Sequence, residues 1–230
     1  MTISSIAVIG GTGAEGSGIA LRLGRAGMDV VIGSRNAERA CGVARDLTAK
    51  LQAAGVALRE GQISGATSAE AVSRSDSALL TVPFKAQLAT ATDLAAELFG
   101  KILIDATAPL VPPKVWRVDL PDGKSAVAAL QAALGEGVRV VAAFQNVSAH
   151  HLADLDHLID CDVLVCGDDR DARAQVIELI GRAGMRGIHA GPIQNAAAVE
   201  AITALLIAIN RHYKVPGAGV RVTGLPENVA

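Results

Sequence analysis

Short aliphatic runs recur along the chain at Ile6–Ile9, Val30–Ile32, Ala78–Val82, Ile102–Asp105, Val138–Ala143 and Val163–Cys166. Between most of them lie alanine-rich stretches with helical spacing. Ile19, Leu21 and Leu23 run up to Gly24 and Gly27, and Leu88, Leu94 and Leu98 run up to Gly100. Strand-length apolar runs that alternate with helices predict a parallel sheet covered on both faces, a doubly wound α/β domain. After residue 148 the pattern changes to a histidine-rich connection, a strand ahead of Asp168, a helix over about 170–183 and a long terminal helix. We therefore expect two parts, residues 1–147 and a smaller C-terminal α/β part over 148–230. In the terminal helix, Ala198, Ile202, Leu205, Leu206, Ile209 and Tyr213 form an apolar stripe that would pack on its own domain or on a partner subunit. Five residues in the stretch from Pro109 to Lys124 are proline or glycine, and this stretch follows a strand, so it should be a loop at the carboxyl edge of the sheet, where ligands of such folds bind.

Composition narrows the partners. The chain has 230 residues, half of them hydrophobic and only 2% aromatic, with a net charge of −2. It has neither the basic field nor the stacking platforms that nucleic acid requires. The apolar core of the last helix, Ala201 to Ile209, is about half the length of a membrane span, so a core helix is expected and no membrane partner. The opening MTISSIAVIGG lacks a basic region followed by a long apolar stretch, and Cys41, Cys161 and Cys166 are an odd set without C-x-x-C spacing. Both features fit a cytoplasmic chain with reduced thiols.

The most specific signal is G-x-G-x-x-G at Gly11, Gly13 and Gly16, set between a predicted strand and a predicted helix. The first glycine would allow the tight turn, the second would admit a pyrophosphate to the backbone amides, and the third would let the helix pack on the strand. The positive end of the helix dipole would face the phosphates. The position after the second strand, which carries an acid in NAD-preferring sites, reads Ser34-Arg35-Asn36, with Arg39 one helical turn on. Two guanidinium groups can converge there on a 2′-phosphate, so NADP(H) is expected. Such a cofactor supplies hydride chemistry.

Other candidates are weaker. Lys85 lies near a carboxyl-edge loop, Tyr213 stands on the terminal helix, and no Tyr-x-x-x-Lys pair is present. His150, His151, His157 and Cys161 do not have the spacing of a zinc site, so no metal is expected. Asp168 and Asp169 read as capping acids of the helix that follows. With a strong dinucleotide site and no certain catalytic acid, base or nucleophile, a direct hydride transfer between two large rings fits best. A small imine, carbonyl or quinoid acceptor remains an alternative, as does a sensor that binds NADP(H) without turnover.

Gly10-Gly11-Thr12-Gly13, Gly33-Ser34-Arg35, Leu80-Thr81-Val82-Pro83, Val165-Cys166-Gly167-Asp168-Asp169, Ala190-Gly191-Pro192 and Thr203 to Asn210 together resemble the NADPH-dependent F420 reductases. The resemblance implies a Rossmann-type domain and coenzyme F420, a 5-deazaflavin, as the hydride partner of NADP(H). It places Thr12, Gly13, Ala14 and Glu15 at the pyrophosphate and Ser34, Arg35 and Arg39 at the 2′-phosphate. Val82, Pro83, Ala108 and Pro109 would line the nicotinamide side. Phe84, Ala143, Phe144, Gln145, Asn146 and Val147 would line the acceptor pocket. Ala14-Glu15 and Gln145-Asn146 depart from the family pattern. A homodimer through the terminal stripe is expected.

Overall fold

A computed structural model describes residues 3–226. Met1 and Thr2, the start of the segment read above for a leader, lie outside the described residues. The elements alternate along the chain: β1 (Ser5–Ile9), α1 (Ala14–Arg25), β2 (Asp29–Ser34), α2 (Ala37–Ala53), β3 (Ile63–Thr67), α3 (Ser68–Ser73), β4 (Ser77–Leu80), α4 (Phe84–Asp93), α5 (Ala95–Leu98), β5 (Ile102–Asp105), α6 (Ala126–Leu134), β6 (Arg139–Ala142), α7 (Ala149–Ala153), β7 (Asp162–Gly167), α8 (Arg170–Arg182), β8 (Arg186–His189) and α9 (Ala196–Tyr213). They form one eight-stranded sheet in the order β3-β2-β1-β4-β5-β6-β7-β8. The first six strands are mutually parallel, as the alternation predicts. The chain winds outward from β1 to β3 and then restarts on the other side of β1 with β4, so connections diverge between β1 and β4. Their carboxyl ends open a crevice there.

Each strand feeds two cores with its alternate residues. In β1, Ile6 and Val8 join a layer with Ile19, Leu23, Ile104 and Val141. Ala7 and Ile9 join the opposite layer with Leu80, Leu103, Val140 and Val199.

Beyond residue 148 the same sheet continues. The strand β7 runs antiparallel to β6 through the pairs Val141–Gly167 and Ala142–Cys166, and β8 runs parallel to β7. Two strands, β3 and β8, were not visible in the apolar pattern. Only Ile63 and Ala66 of β3 are buried, as suits an edge strand, and Gly65 interrupts it. That glycine is there for α2, since a Cβ would stand 2.3 Å from the Cys41 amide nitrogen. The short β8 is the other edge, and a Cβ on Gly187 would stand 3.1 Å from Ile177 Cα of α8.

The helix α9 is longer than its apolar core suggests, and the stretch 193–213 has the length and composition of a membrane span. In this fold it turns Ala196, Val199, Glu200, Ala204 and Leu206 inward. Of the stripe read from the sequence, only Leu206 is buried, while Leu205, Ile209 and Tyr213 are 53%, 41% and 68% exposed. The loop between β5 and α6 leans on this helix, with the Arg211 guanidinium 4.2 Å from the centre of the Trp116 ring. As expected of a capping acid, Asp169 accepts a hydrogen bond from the Ala172 amide at the start of α8; Asp168 does not cap that helix but accepts from the Ile193 amide ahead of α9.

Candidate functional site: a cleft along the carboxyl edge

A cleft of about 740 Å³ follows the carboxyl ends of β2, β1, β4, β5 and β6 in that spatial order. At its β2 end stand Ser34, Arg35 and Arg39. Asn36 caps α2 by accepting from the Arg39 amide at 2.9 Å, so both arginines rise from the first turn and its approach. Both are exposed, and neither forms an ion pair among the described residues. Asp29, at the far end of β2, is held by Arg59 at 2.9 Å.

Off β1 comes the glycine turn. The left-handed residue is Gly10 (φ 80°), one position before the glycine to which the turn was assigned. Gly11 is required for a different reason, since a Cβ there would lie 2.7 Å from Val8 O. Gly16 does what the motif predicts: a Cβ would meet Thr81 Oγ1 at 2.5 Å and Gly11 Cα at 2.8 Å, so only glycine lets α1 approach this closely. Both Gly11 and Gly16 are buried beneath the cleft, whereas Thr12, Gly13, Ala14 and Glu15 line it. No side chain caps α1 at Gly13, which leaves the first-turn amides free to hold an anion.

Val82, Pro83 and Phe84 bring β4 and the start of α4 to the cleft, and Ala108 comes from the loop after β5. Pro109, its expected neighbour, is buried and does not line it. At the β6 end, Gln145 and Val147 line the cleft but Ala143, Phe144 and Asn146 do not. Phe144 is fully buried at φ 78° and faces the core. The Asn146 amide is spent on β7, where it donates to Asp162 O at 2.6 Å and accepts from the Leu164 amide at 3.4 Å. Asn146 therefore fastens β7 and does not place an acceptor.

Gln145 is clamped. Its Nε2 donates to Asp105 O at 2.7 Å and its own carbonyl accepts from Thr203 Oγ1 of α9 at 2.8 Å, while its Oε1 has no partner although the residue is 4% exposed. A buried acceptor without a donor is costly unless a ligand supplies one. Thr203, Thr81, Thr107, Ser68, Thr90 and Leu110 also line the cleft, although the sequence reading assigned none of them to it.

Two carboxyl groups shape the electrostatics. Glu15 is pushed up to about 8, first by burial and then by the charge of Asp105. Asp105, fully buried at the end of β5, is pushed up to about 6 by burial, against hydrogen bonds from Thr107 and Gln87 that hold it down. Elsewhere, the His151 and His157 rings meet at a tilt of 49° with centres 3.9 Å apart, a contact that their sequence spacing did not reveal.

Sheet order, glycine turn, uncapped helix end and unpaired arginines define the class: a Rossmann-type dinucleotide-binding protein. The family model described as NADP oxidoreductase, coenzyme F420-dependent, matches residues 5–109. The F420-dependent NADP reductase of Methanothermobacter marburgensis is 43% identical over 228 residues, covering 96% of this chain and 99% of that protein. The one from Methanocaldococcus jannaschii is 39% identical over 224 residues, covering 96% and 98%. A solved structure from Arthrobacter sp. FB24 has the same fold, with a TM-score of 0.77 at 23% identity and coverage of 95% and 98%. This chain belongs to the F420-dependent NADP reductase family.

Proposed function

We propose that the protein is an oxidoreductase that passes hydride between NADP(H) and coenzyme F420. One observation supports the reading in a member of this family: five successive strand ends bring Ser34, Arg35 and Arg39, the glycine turn, the apolar residues Val82 and Pro83 and the clamped Gln145 amide to a single cleft. Ser34, Arg35 and Arg39 hold the 2′-phosphate, with Arg35 and Arg39 supplying charge-assisted bonds. Gly11 and Gly16 shape the turn, and Thr12, Gly13, Ala14 and Glu15 meet the pyrophosphate. Val82, Pro83 and Ala108 form the wall beside the nicotinamide, and Phe84, Gln145 and Val147 border the acceptor.

The bound pair supplies the chemistry: hydride leaves C4 of the dihydronicotinamide for a ring carbon of the deazaflavin, and a ring nitrogen of the acceptor takes a proton from water. The chain contributes alignment, holding donor and acceptor carbons in reach, which is worth several kilocalories of barrier. Residues 1–147 bind NADP(H), and residues 148–230 complete the acceptor side through Thr203. The protein works in the cytoplasm, without nucleic acid or membrane as partner, as a homodimer joined through Leu205, Ile209 and Tyr213. Leu205→Glu with Ile209→Glu should leave a monomer in analytical ultracentrifugation; an unchanged dimer would move the interface elsewhere.

The decisive experiment mixes protein, NADPH and oxidised F420 without oxygen and follows loss of the deazaflavin absorption. Bleaching with NADPH and far slower bleaching with NADH is expected. Tight NADPH binding with no bleaching would sink the F420 assignment.

A further inference from the structure

Asp105 has no task in the reading above, yet the fold goes to some trouble to keep it. It ends β5 beneath the cleft, directly before the lining residues Ala106, Thr107 and Ala108, is fully buried without lining the cleft itself, and takes bonds only from neutral donors, the Thr107 amide at 2.8 Å and Gln87 Nε2. Among the described residues it pairs with no cation. The charged groups facing it are carboxylates, Glu15 from α1 and Glu200 from α9. Gln145 fixes the same residue from the β6 side through its main-chain oxygen.

The cations of the cleft, Arg35 and Arg39, stand off β2, three strands from β5 and roughly 14 Å away at ordinary strand spacing. The site is thus polarised, with cations at the β2 end of the cleft and a carboxyl group beneath its floor at β5. Burying a carboxylate without a counter-ion is expensive. A ligand that becomes positive beside it would recover part of that expense.

Such a ligand is implied by the proposed function, on which this inference rests. When hydride leaves dihydronicotinamide, the C4–H bond breaks with both electrons and the ring left behind gains one positive charge. The acceptor forms the new C–H bond and takes its proton from water. We infer that Asp105 is an electrostatic positioning residue, which favours the oxidised, positively charged nicotinamide over the neutral reduced ring and so draws hydride out of NADPH. Burial raises both carboxyl groups, Glu15 to about 8 and Asp105 to about 6, so Asp105 is the more acidic of the two.

The test is binding, read separately for NADP⁺ and NADPH by calorimetry at pH 7.5. In Asp105→Asn, the dissociation constant of NADP⁺ should rise about tenfold relative to that of NADPH, as expected for loss of one charge at close range. A ratio that does not move, with both affinities unchanged or equally weakened, would overturn the inference and make Asp105 a fastener of the loop after β5. Should the variant not fold, the unmodified protein decides: its preference for NADP⁺ should decline between pH 7.5 and 5, as Asp105 takes up a proton near pH 6. The 2′-phosphate titrates in the same range but in both cofactors, so it cancels in the ratio. A flat ratio would again overturn the inference. Failure of the unmodified protein to bind either cofactor would instead sink the proposed function, and this inference with it.

Discussion

An ionised carboxyl group in the first turn of α1 would repel a pyrophosphate. Glu15 avoids this, because burial and the nearby Asp105 push it up to about 8, which leaves it mostly neutral at pH 7 and able to donate a hydrogen bond. NADPH binding should therefore weaken above about pH 8, by up to roughly tenfold per further pH unit, since each added charge must be neutralised again. Glu15→Gln should flatten that limb in titrations between pH 7 and 9.5, and a limb that persists would move its origin to another group. Arg35→Ala should raise the dissociation constant of NADPH by roughly tenfold or more while leaving that of NADH unchanged; equal weakening of both would end the idea of a phosphate clamp. Arg35 and Arg39 were legible because a one-turn spacing after a strand forces convergence. Gln145 was legible but its neighbour Asn146 was misread, because adjacent residues of a turn point apart and Asn146 serves β7. Asp105 and Thr203 could not be read from local pattern. Thr203 reaches the cleft, and Asp105 comes to lie beneath it, only once β5 and α9, nearly a hundred residues apart, are folded together.

Among the elements, α9 owes its seat to one side chain. Glu200 is almost fully buried and accepts from Ser125 Oγ at 2.5 Å, from the Ala126 amide at 2.9 Å and from the Val127 amide at 3.1 Å. It thereby caps α6 from another helix, and those bonds partly offset the burial that pushes its pKa upward. Glu200→Ala would strand a hydroxyl and two amide donors, a loss of roughly 2–4 kcal/mol in urea unfolding. Glu200→Gln keeps an acceptor oxygen and should lose clearly less. Equal losses would show that packing, and not capping, holds the helix. The apolar pattern disclosed six of the eight strands, because central strands are covered on both faces and read as unbroken aliphatic runs. It passed over β3 and β8, the two edges, where glycine yields to a helix and few side chains are buried. For α9 it found the helix and a stripe meant for its own domain or a partner subunit, of which Leu205, Ile209 and Tyr213 face outward. The polar residues Glu200 and Thr203 lie on the inward side, a choice that binary patterning counts as solvent-facing.

At the scale of the molecule, the two parts read from the sequence are joined by more than the short β6–β7 ladder. Arg22 of α1, 6% exposed, donates to Leu152 O, His151 O, Asp154 O and His157 O, at 2.6–3.1 Å. One guanidinium thus fixes the segment that carries the chain from the first part into the second. In that segment the His151 ring packs at a tilt against His157. Burial, together with the His157 and His150 charges, holds His151 below the ordinary imidazole value of 6.5. The sign follows from linkage. Above that value both folded and unfolded chains carry neutral imidazole, and the histidine contributes nothing to pH dependence. As pH falls through 6.5 the unfolded chain takes up the proton first, so stability is lost until the folded form is protonated as well. Asp105 acts oppositely over part of the range, since its raised folded value, about 6, makes the fold more stable as it is protonated. Total stability therefore mixes two slopes, and a difference measurement separates them. Subtracting the unfolding free energy of His151→Gln from that of the unmodified protein, in urea at pH 7.5, 6.5, 5.5 and 5.0, should give a constant above pH 7 and a decline below 6.5. A difference that stays flat to pH 5 would mean that His151 charges in the folded joint as readily as in water, and that its contact with His157 is no obstacle to protonation.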